Sequence, residues 1–581
     1  MKNRLVADIF EQMAELMEIQ GESGFRVNAY RRAARALDSL QEDVEVLRRE
    51  GRLTDVPGIG ESTAQKVGEF LDTGRVARHQ ELLKKVPAGL LELLQVPGLG
   101  PKSAALLYRE LKVRSVDDLR QAIEAGRLAD LPGMGEKKIE NLRKGLEFRE
   151  RAAGRTPLGL ADAVVTELMA ALRRAVPKVI LSPAGSLRRM RETVGDLDLL
   201  AATTRPADVL QAFVELPQVA EVLAHGDTKA SVRVEHGLQV DLRAVAPESY
   251  GAALQYFTGS KDHNVRLRDR AKRMGLKINE YGVYRGEKRV AGATEEECYR
   301  ALGLPWIPPE MREDRGEIDL AEAGKLPRLV ELGDIRADLH CHTRASDGDL
   351  TLEQLADEAL KRGYRYAAVT DHSVSAGYAG GLSAERLKVH LQAVHAFNQK
   401  QSKIRLLAGT ESDIRTDGGL DYPDELLLQL DWVVVSIHSA FGRDPTGRMV
   451  KALQHPATCM LGHPSGRLIG QRDAYEVDWE ALFKAAAAAG KAIEINAHWR
   501  RLDLDDLRAR RARDLGVEVA ICTDMHRADE FDNMRFGVGV ARRAWLTAAD
   551  VLNARPWEAF EKWRTAMRAK PAARRKPRRK T

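Results

Sequence analysis

Seven short apolar segments, each followed by sequence of helical character, recur between Ala337 and His526 of this 581-residue chain. They constrain its fold more than any other feature. They read ADLHCH, YAAVTDH, LLAGTES, DWVVVSIH, CMLGH, AIEIN and VEVAICTDMH. Apolar strands alternating with helices require a parallel sheet covered by helices, most simply a closed β/α barrel. Every segment but AIEIN ends in a group that binds metals: His340 and His342, His372, Glu411, His438, His463, then Asp524 and His526, with Asp347 in the first loop. Barrel enzymes build their sites at the C-terminal strand ends, so these nine groups are expected to converge. One zinc prefers four ligands, so two or three Zn²⁺, Mn²⁺ or Fe ions would share them, with Glu411 as the bridging carboxylate. Such ions bring the pKa of bound water toward neutrality, which suits phosphoester hydrolysis. Ten of the fourteen histidines lie in this region. An isolated histidine is more often a satisfied core group, so His390, His395, His455 and His498 receive no role. Cys341, between two ligands, is expected to point to the opposite strand face and pack.

The chain is too long for one hydrophobic core, and ~150 residues per domain suggests about four units. A repeat marks the first of them. Val56-Pro-Gly-Ile-Gly60, Val96-Pro-Gly-Leu-Gly100 and Leu131-Pro-Gly-Met-Gly135 each separate two helical stretches. The proline ends the first helix, and Gly58, Gly60, Gly98, Gly100, Gly133 and Gly135 permit a tight turn. The unpaired N–H groups of the following helix then face outward and attract phosphate without reading bases. One such corner is only a helical turn; three copies resemble helix-hairpin-helix motifs.

A second acidic cluster is expected between Lys178 and Val245. Here VILS reads as a strand, Gly185-Ser186 as a turn into a helix with Arg188 and Arg189, and Gly195 as the lead into a second strand. Asp196 and Asp198 are two apart, so on a strand they share a face. A hairpin follows, SVRVE, His236-Gly237, LQVDLRAV, in which Gln239, Asp241 and Arg243 face away from Leu238, Val240 and Leu242. Three neighbouring carboxylates repel one another unless cations lie between them, and oxygen ligands suit Mg²⁺ or Mn²⁺. Two such ions clamp both oxygens of a phosphoryl transfer.

GSLRR, then GDLD, then a strand-borne VD resembles the polymerase-β-like nucleotidyltransferases. Tyr256-Phe-Thr-Gly259-Ser260, Asn264, Arg268 and INEY at 278–281 resemble the thumb of family X DNA polymerases. With the hairpins, the similarity covers roughly residues 1–318. It implies that Asp196 and Asp198 hold both metals and that Asp241 holds the catalytic one beside the primer 3′-hydroxyl. Ser186, Arg189 and the Gly195 backbone would take the β and γ phosphates of the nucleotide. Tyr256, Phe257 and Gly259 would line the sugar pocket and disfavour a 2′-hydroxyl; Asn264 would touch the base edge and Arg268 the template minor groove. Lys261 stands where vertebrate relatives carry an acid. The same resemblance makes Lys66 a Schiff-base lysine for 5′-deoxyribose phosphate, with Arg26, Tyr30, Arg31 and Arg78 in its phosphate pocket. Phe25 and Ser62 replace an expected histidine and lysine, so Lys66 reads equally as a surface lysine beside a hairpin. The barrel region, with DLHCHTRASDG, TDH, GTES, SIH, GHP and TDMH, resembles the PHP (polymerase and histidinol phosphatase) domain, a distorted β/α barrel with a trinuclear site. All nine ligand positions of that pattern are filled.

Residues 303–335 are rich in proline and charge and read as a flexible tether with one short helix. Residues 568–581 hold eight Lys or Arg and no acid, whereas the formal charge of the whole chain is +6. This tail is expected to be disordered, either attracted to phosphate backbones or merely solubilising. No apolar run approaches the ~18 residues of a membrane span, and four cysteines without CxxC pairing suggest a reducing cytoplasm. The expected architecture is multidomain: helical helix-hairpin-helix domains at 1–85 (lyase-like) and 86–155 (fingers-like), an α+β nucleotidyltransferase palm at 156–245, a thumb at 246–318, a linker at 319–335, a distorted β/α PHP barrel at 336–565 and a basic tail at 566–581. The implied function is a DNA-directed polymerase filling short gaps in repair, with a PHP 3′-5′ exonuclease or 3′-end phosphoesterase. Its partners would be gapped or nicked duplex DNA and dNTPs, and it would act as a monomer away from membranes. Rival readings are a template-independent nucleotidyltransferase and a DNA-end-binding scaffold with a vestigial polymerase centre, whose main activity is the nuclease.

Overall fold

A computed structural model describes residues 3–38, 44–94, 96, 99–136, 138–143, 146, 155–234 and 237–569. It divides into two compact units, residues 1–153 with 470–472, and residues 154–469 with 473–581. Gly98, His236 and the expected disordered segment beyond residue 569 lie outside the described residues.

The first unit is helical. Its opening helix α1 (Asn3–Ile19) buries Val6, Phe10, Met13, Ala14 and Met17, an apolar stripe at three- and four-residue spacing. The two helical domains expected here share one buried cluster running from Val6 to Leu146, so they fold as a single core. The three glycine repeats adopt the same local hydrogen bonding. Ile59, Leu99 and Met134 donate their N–H groups to the carbonyls three residues back, at 3.0, 3.0 and 3.1 Å. Gly58 and Gly133 hold φ of +98° and +74°, which side chains with a Cβ resist. Gly60 and Gly100 are the N-caps of α2 (Glu61–Thr73) and α3 (Pro101–Leu111), and neither helix receives a side-chain cap.

In the second unit, a mixed five-stranded sheet forms from β1 (Ile180–Pro183), β2 (Leu197–Ala202), β3 (Val219–His225), β4 (Lys229–Val234) and β5 (Gln239–Val245), in the order β1-β2-β5-β4-β3. Val240, Leu242 and Ala244 pack with helices 158–175 and 206–214, leaving Asp241 and Arg243 on the opposite face as alternation predicts. Helices 250–258, 261–273 and 295–301 and a small antiparallel sheet follow as the thumb. Arg188 closes palm onto thumb through a bidentate pair with Glu295 at 2.8 and 2.7 Å, and Arg312 adds a third contact to Glu295 at 2.7 Å. Burial would raise the Glu295 pKa, but the charge of Arg312 and the hydrogen bonds from Arg188 and Arg312 bring it down to about 2.

All seven expected barrel strands form: β6 (Ala337–Cys341), β7 (Tyr366–Val369), β8 (Arg405–Asp413), β9 (Trp432–Ser436), β10 (Met460–Leu461), β11 (Ala492–Asn496) and β12 (Glu518–Cys522), parallel and in chain order. A bridge between Cys341 and Met525 brings the last strand against the first. Asp338, fully buried on β6, ties that seam by accepting from Thr523 Oγ1 at 2.5 Å and Thr523 N at 3.2 Å. Burial raises its pKa to about 6 against those hydrogen bonds. The interior cluster holds Leu339, Tyr366, Leu407, Trp432, Val434 and Met460, and Phe560 and Met567 of the final helix (Trp557–Ala569) complete it. Cys341 joins the other packing layer, as anticipated, and all four cysteines are buried free thiols.

The segment 303–335 is not a loose tether. Leu304, Ile307, Met311, Ile318, Ala321 and Leu329 share a core with Trp545. Val330 N donates to Leu546 O at 2.9 Å, and Arg542 binds Glu310 at 2.7 Å. Its prolines break the helical period but do not keep its apolar residues in water, so palm, thumb and barrel form one unit.

Candidate active sites

Eight of the nine barrel ligands stand at or just beyond a strand's C-terminal end, and Asp347 lies in the loop after β6. Three groups bring their ligand atoms within 4.8 Å of one another: His342, Asp347, His372 and His526; His340, His342 and Asp524; His372, Glu411 and His438. His463 completes the set with Nε2 3.0 Å from Glu411 Oε1. Glu411 is the centre, with its oxygens 2.9 Å from His372, 3.3 Å from His438, 3.5 Å from His340 and 3.8 Å from His342. Burial alone would raise its pKa; the facing imidazoles of His438, His340 and His372 hold it well below the usual range. The pKa values of His342 and His463 are lowered as well, to about 4 and about 3, here chiefly through burial. His463 and Asp524 hold positive φ, a strain of ~1–3 kcal/mol each of the kind that collects at functional sites.

These residues fit metal ions. Nε2 of His340 is buried without a hydrogen-bond partner among the described residues, while its Nδ1 lies 2.8 Å from Glu494 Oε1. A carboxylate on one imidazole nitrogen, with the other left open, is the arrangement that orients a metal-binding histidine. Glu494 also accepts from His463 N at 2.6 Å, and Asn496 reaches Asp524 Oδ2 at 3.1 Å. Asp371 holds the first loop through Thr343 Oγ1 at 2.7 Å and Ser346 Oγ at 2.6 Å, and His390 lies 3.0 Å from it. Sequence reasoning missed this supporting set. AIEIN drew attention as the one segment without a terminal ligand, when the signal was its carboxylate inside an apolar strand.

The palm carboxylates lie closer to the surface. Asp198 and Asp241 are register partners on the parallel strands β2 and β5. Asp196 precedes β2 instead of belonging to it, and is exposed. Burial raises the Asp198 pKa to about 6, and the charge of Asp241 adds to it. Asp241 pairs with Lys229 Nζ at 2.5 Å and accepts from Gln239 Nε2 at 3.1 Å. Lys229 thus already neutralises one of three carboxylates that would otherwise repel one another. A cation-binding role fits this donor set, since Asp198 has the neighbouring charges that a divalent ion relieves.

The expected nucleotide residues border this face. Gly185, at φ +59°, lets the turn carrying Ser186 pass Asp198; a Cβ there would stand 2.7 Å from Asp198 Oδ2. Arg189 donates to Thr258 O and lies 3.2 Å from Glu313. Gly259 follows with φ +72°, and Tyr256 and Phe257 meet edge to face, with Arg243 over the Phe257 ring at 4.4 Å. The Asn264 amide is engaged locally, donating to Tyr256 O and accepting from Gln255, each at 2.7 Å. Arg268, four residues on along helix 261–273, is exposed. In the first unit, Lys66 donates to Ser62 Oγ at 2.7 Å and lies 5.9 Å from the Tyr30 ring. Burial lowers its pKa, opposed by Glu69 and assisted by Arg78. Arg26 and Arg78 both pair with Glu22, Arg31 pairs with Glu18, and Phe25 is exposed.

A glycine-hairpin helical unit, a palm with paired carboxylates and a ligand-ringed barrel define a polymerase-β-like nucleotidyltransferase joined to a PHP phosphoesterase domain. Family profiles agree: a helix-hairpin-helix domain matches residues 1–76, a SAM-like helix-hairpin-helix tandem 90–147, the DNA polymerase beta thumb 253–313 and the PHP domain 338–498. The chain is 39% identical over 96% of its length to the DNA polymerase/3′-5′ exonuclease PolX of Bacillus subtilis, covering 98% of that protein. It belongs to that family, the PHP-bearing family X DNA polymerases. DNA polymerase lambda of Rattus norvegicus is 26% identical over 54% of this chain and 56% of its own length. A probable phosphatase of Thermoanaerobacter sp. is 27% identical over 37% of this chain, covering 89% of that protein.

Proposed function

We propose that this chain adds deoxynucleotides to a primer 3′ end in short gaps or nicks of duplex DNA, and that its barrel removes nucleotides or a phosphate from 3′ ends. The reading rests on one observation: the register pair Asp198–Asp241 stands beside the Gly185–Arg189 turn in the same unit as the nine-ligand cluster. Asp196, Asp198 and Asp241 would hold Mg²⁺ or Mn²⁺, which when bound supplies charge stabilisation to a nucleotidyl transfer. The two or three barrel ions, Zn²⁺, Mn²⁺ or Fe, would supply the corresponding chemistry for hydrolysis. Ser186, Arg189 and the Gly195 backbone hold the triphosphate, and Tyr256, Phe257 and Gly259 shape the sugar pocket. Asn264 and Arg268, one helical turn apart, face the base pair and the template. The open N–H groups after Gly58–Gly60, Gly98–Gly100 and Gly133–Gly135 grip backbone phosphates regardless of sequence. In this reading the protein acts as a monomer in the cytoplasm, where gapped duplex DNA and dNTPs meet. With Mg²⁺ or Mn²⁺ and dNTPs, it is expected to extend a labelled primer across a short gap and, without dNTPs, to shorten that primer from its 3′ end. A protein that does neither with any divalent metal would defeat the assignment.

The setting of Lys66 supports a second activity, 5′-deoxyribose-phosphate lyase. A lysine with lowered pKa, flanked by Tyr30 and Arg78, is suited to Schiff-base formation. Borohydride should trap an adduct that Lys66→Ala reduces by about 10²-fold or more; an undiminished adduct would assign the chemistry elsewhere.

A further inference from the structure

The turn expected to hold the nucleotide's phosphates is braced by a residue of the nuclease domain. Arg543 ends the barrel helix Met534–Arg543, and its side chain is 3% exposed. Its Nη1 donates both to the backbone carbonyl of Arg189 and to Glu313 Oε1, each at 2.8 Å. Its Nη2 donates to Asp506 Oδ2 at 2.9 Å. Glu313 Oε1, at the thumb's end, also accepts from Arg189 Nε at 3.2 Å. One guanidinium thus fixes both the main chain of Arg189 and the carboxylate that orients its side chain.

The neighbouring contacts reinforce this brace. Met190, at φ +53°, packs on Gly539 of the same barrel helix, where a Cβ would come within 2.9 Å of Met190 Cγ. Arg467 of the barrel pairs with Glu192 at 2.8 Å, and Arg315 shares Asp506 with Arg543 at 2.8 Å. The turn from Arg189 to Glu192 is therefore held from the barrel side at three successive points.

We propose that Arg543 is a positioning residue of the polymerase reaction: through Glu313 and the Arg189 carbonyl it sets Arg189 for the triphosphate of the incoming dNTP, so the nuclease domain supplies part of the polymerase's nucleotide site. This rests on the nucleotide-binding role of Arg189 proposed above. A guanidinium presents several donors in a fixed plane, and its three acceptors here lie on different elements. An ammonium in its place does not reproduce that geometry.

The experiment is steady-state single-nucleotide insertion on gapped DNA by the full-length protein, alongside 3′-5′ excision by the same preparations. Arg543→Gln should raise KM for dNTP about 10- to 100-fold with a much smaller change in kcat, while excision stays within twofold of wild type. Arg543→Lys should recover only part of the loss. Glu313→Gln, which changes no residue of the barrel itself, should reproduce the KM rise, and the double variant Arg543→Gln with Glu313→Gln should be no worse than either alone. The proposal is overturned if Arg543→Gln excises normally with an unchanged KM, or if kcat falls while KM holds. Should Arg543→Gln lose both activities, Glu313→Gln decides, and an unchanged KM there overturns it. Absence of insertion by the wild-type protein would refute the polymerase reading itself, and is distinct from all of these.

Discussion

Replacing Asp196 and Asp198 together by alanine should lower nucleotide addition at a gapped primer by about 10³-fold or more while leaving 3′-end excision unchanged. The magnitude follows from removing two of the three carboxylates proposed to hold the cations that would stabilise charge in phosphoryl transfer, a loss of several kcal/mol. The separation follows from the fold. Asp196 is exposed and Asp198 half-buried on the palm's open face, so neither substitution empties a core. The double variant should melt within a few degrees of wild type. The measurement is extension of a labelled primer by both proteins at equal concentration, with excision scored in parallel. Addition persisting within tenfold of wild type would remove these carboxylates from the reaction.

Glu411→Gln should have the opposite selectivity, with excision reduced by about 10³-fold and gap filling retained. Glu411 is fully buried and lies within 4 Å of His340, His342, His372, His438 and His463. The amide keeps the shape but gives up the negative charge that five imidazoles face. Metal analysis of the purified protein should then find at least one ion fewer per chain than in wild type. Excision at the wild-type rate with unchanged metal content would exclude Glu411 as the central ligand.

Much of the architecture is legible before any coordinates. The barrel strands announce themselves by brief apolar runs between helices, and the ligands by their place at the end of six of those runs. The glycine hairpins are equally plain, because a proline–glycine–apolar–glycine corner repeated three times allows few other local structures. Asp241 is found by simple alternation along β5. What escapes is what depends on distant partners. Asp338, Asp371 and Glu494 are acidic residues in apolar surroundings, and only the three-dimensional neighbours reveal that they tie the seam, the first loop and His340. Arg543 shows no local signal at all, since its three acceptors come from positions 189, 313 and 506. The segment 303–335 misleads for a related reason: prolines and charges hide Leu304, Ile307 and Met311, whose burial follows from Trp545, more than two hundred residues away.

The final helix carries one more consequence. Phe560 and Met567 fill the barrel interior next to Trp432 and Tyr366, so the strands cannot complete their packing until residues 560–567 are available. During synthesis the apolar cluster of the helical N-terminal unit, Val6 to Leu146, is available early, whereas the barrel must wait until residues 560–567 have been made. A nascent polypeptide therefore completes its helical N-terminal unit before the barrel that carries the metal-ligand cluster, and products that stop short of Phe560 lack the packing that closes that barrel.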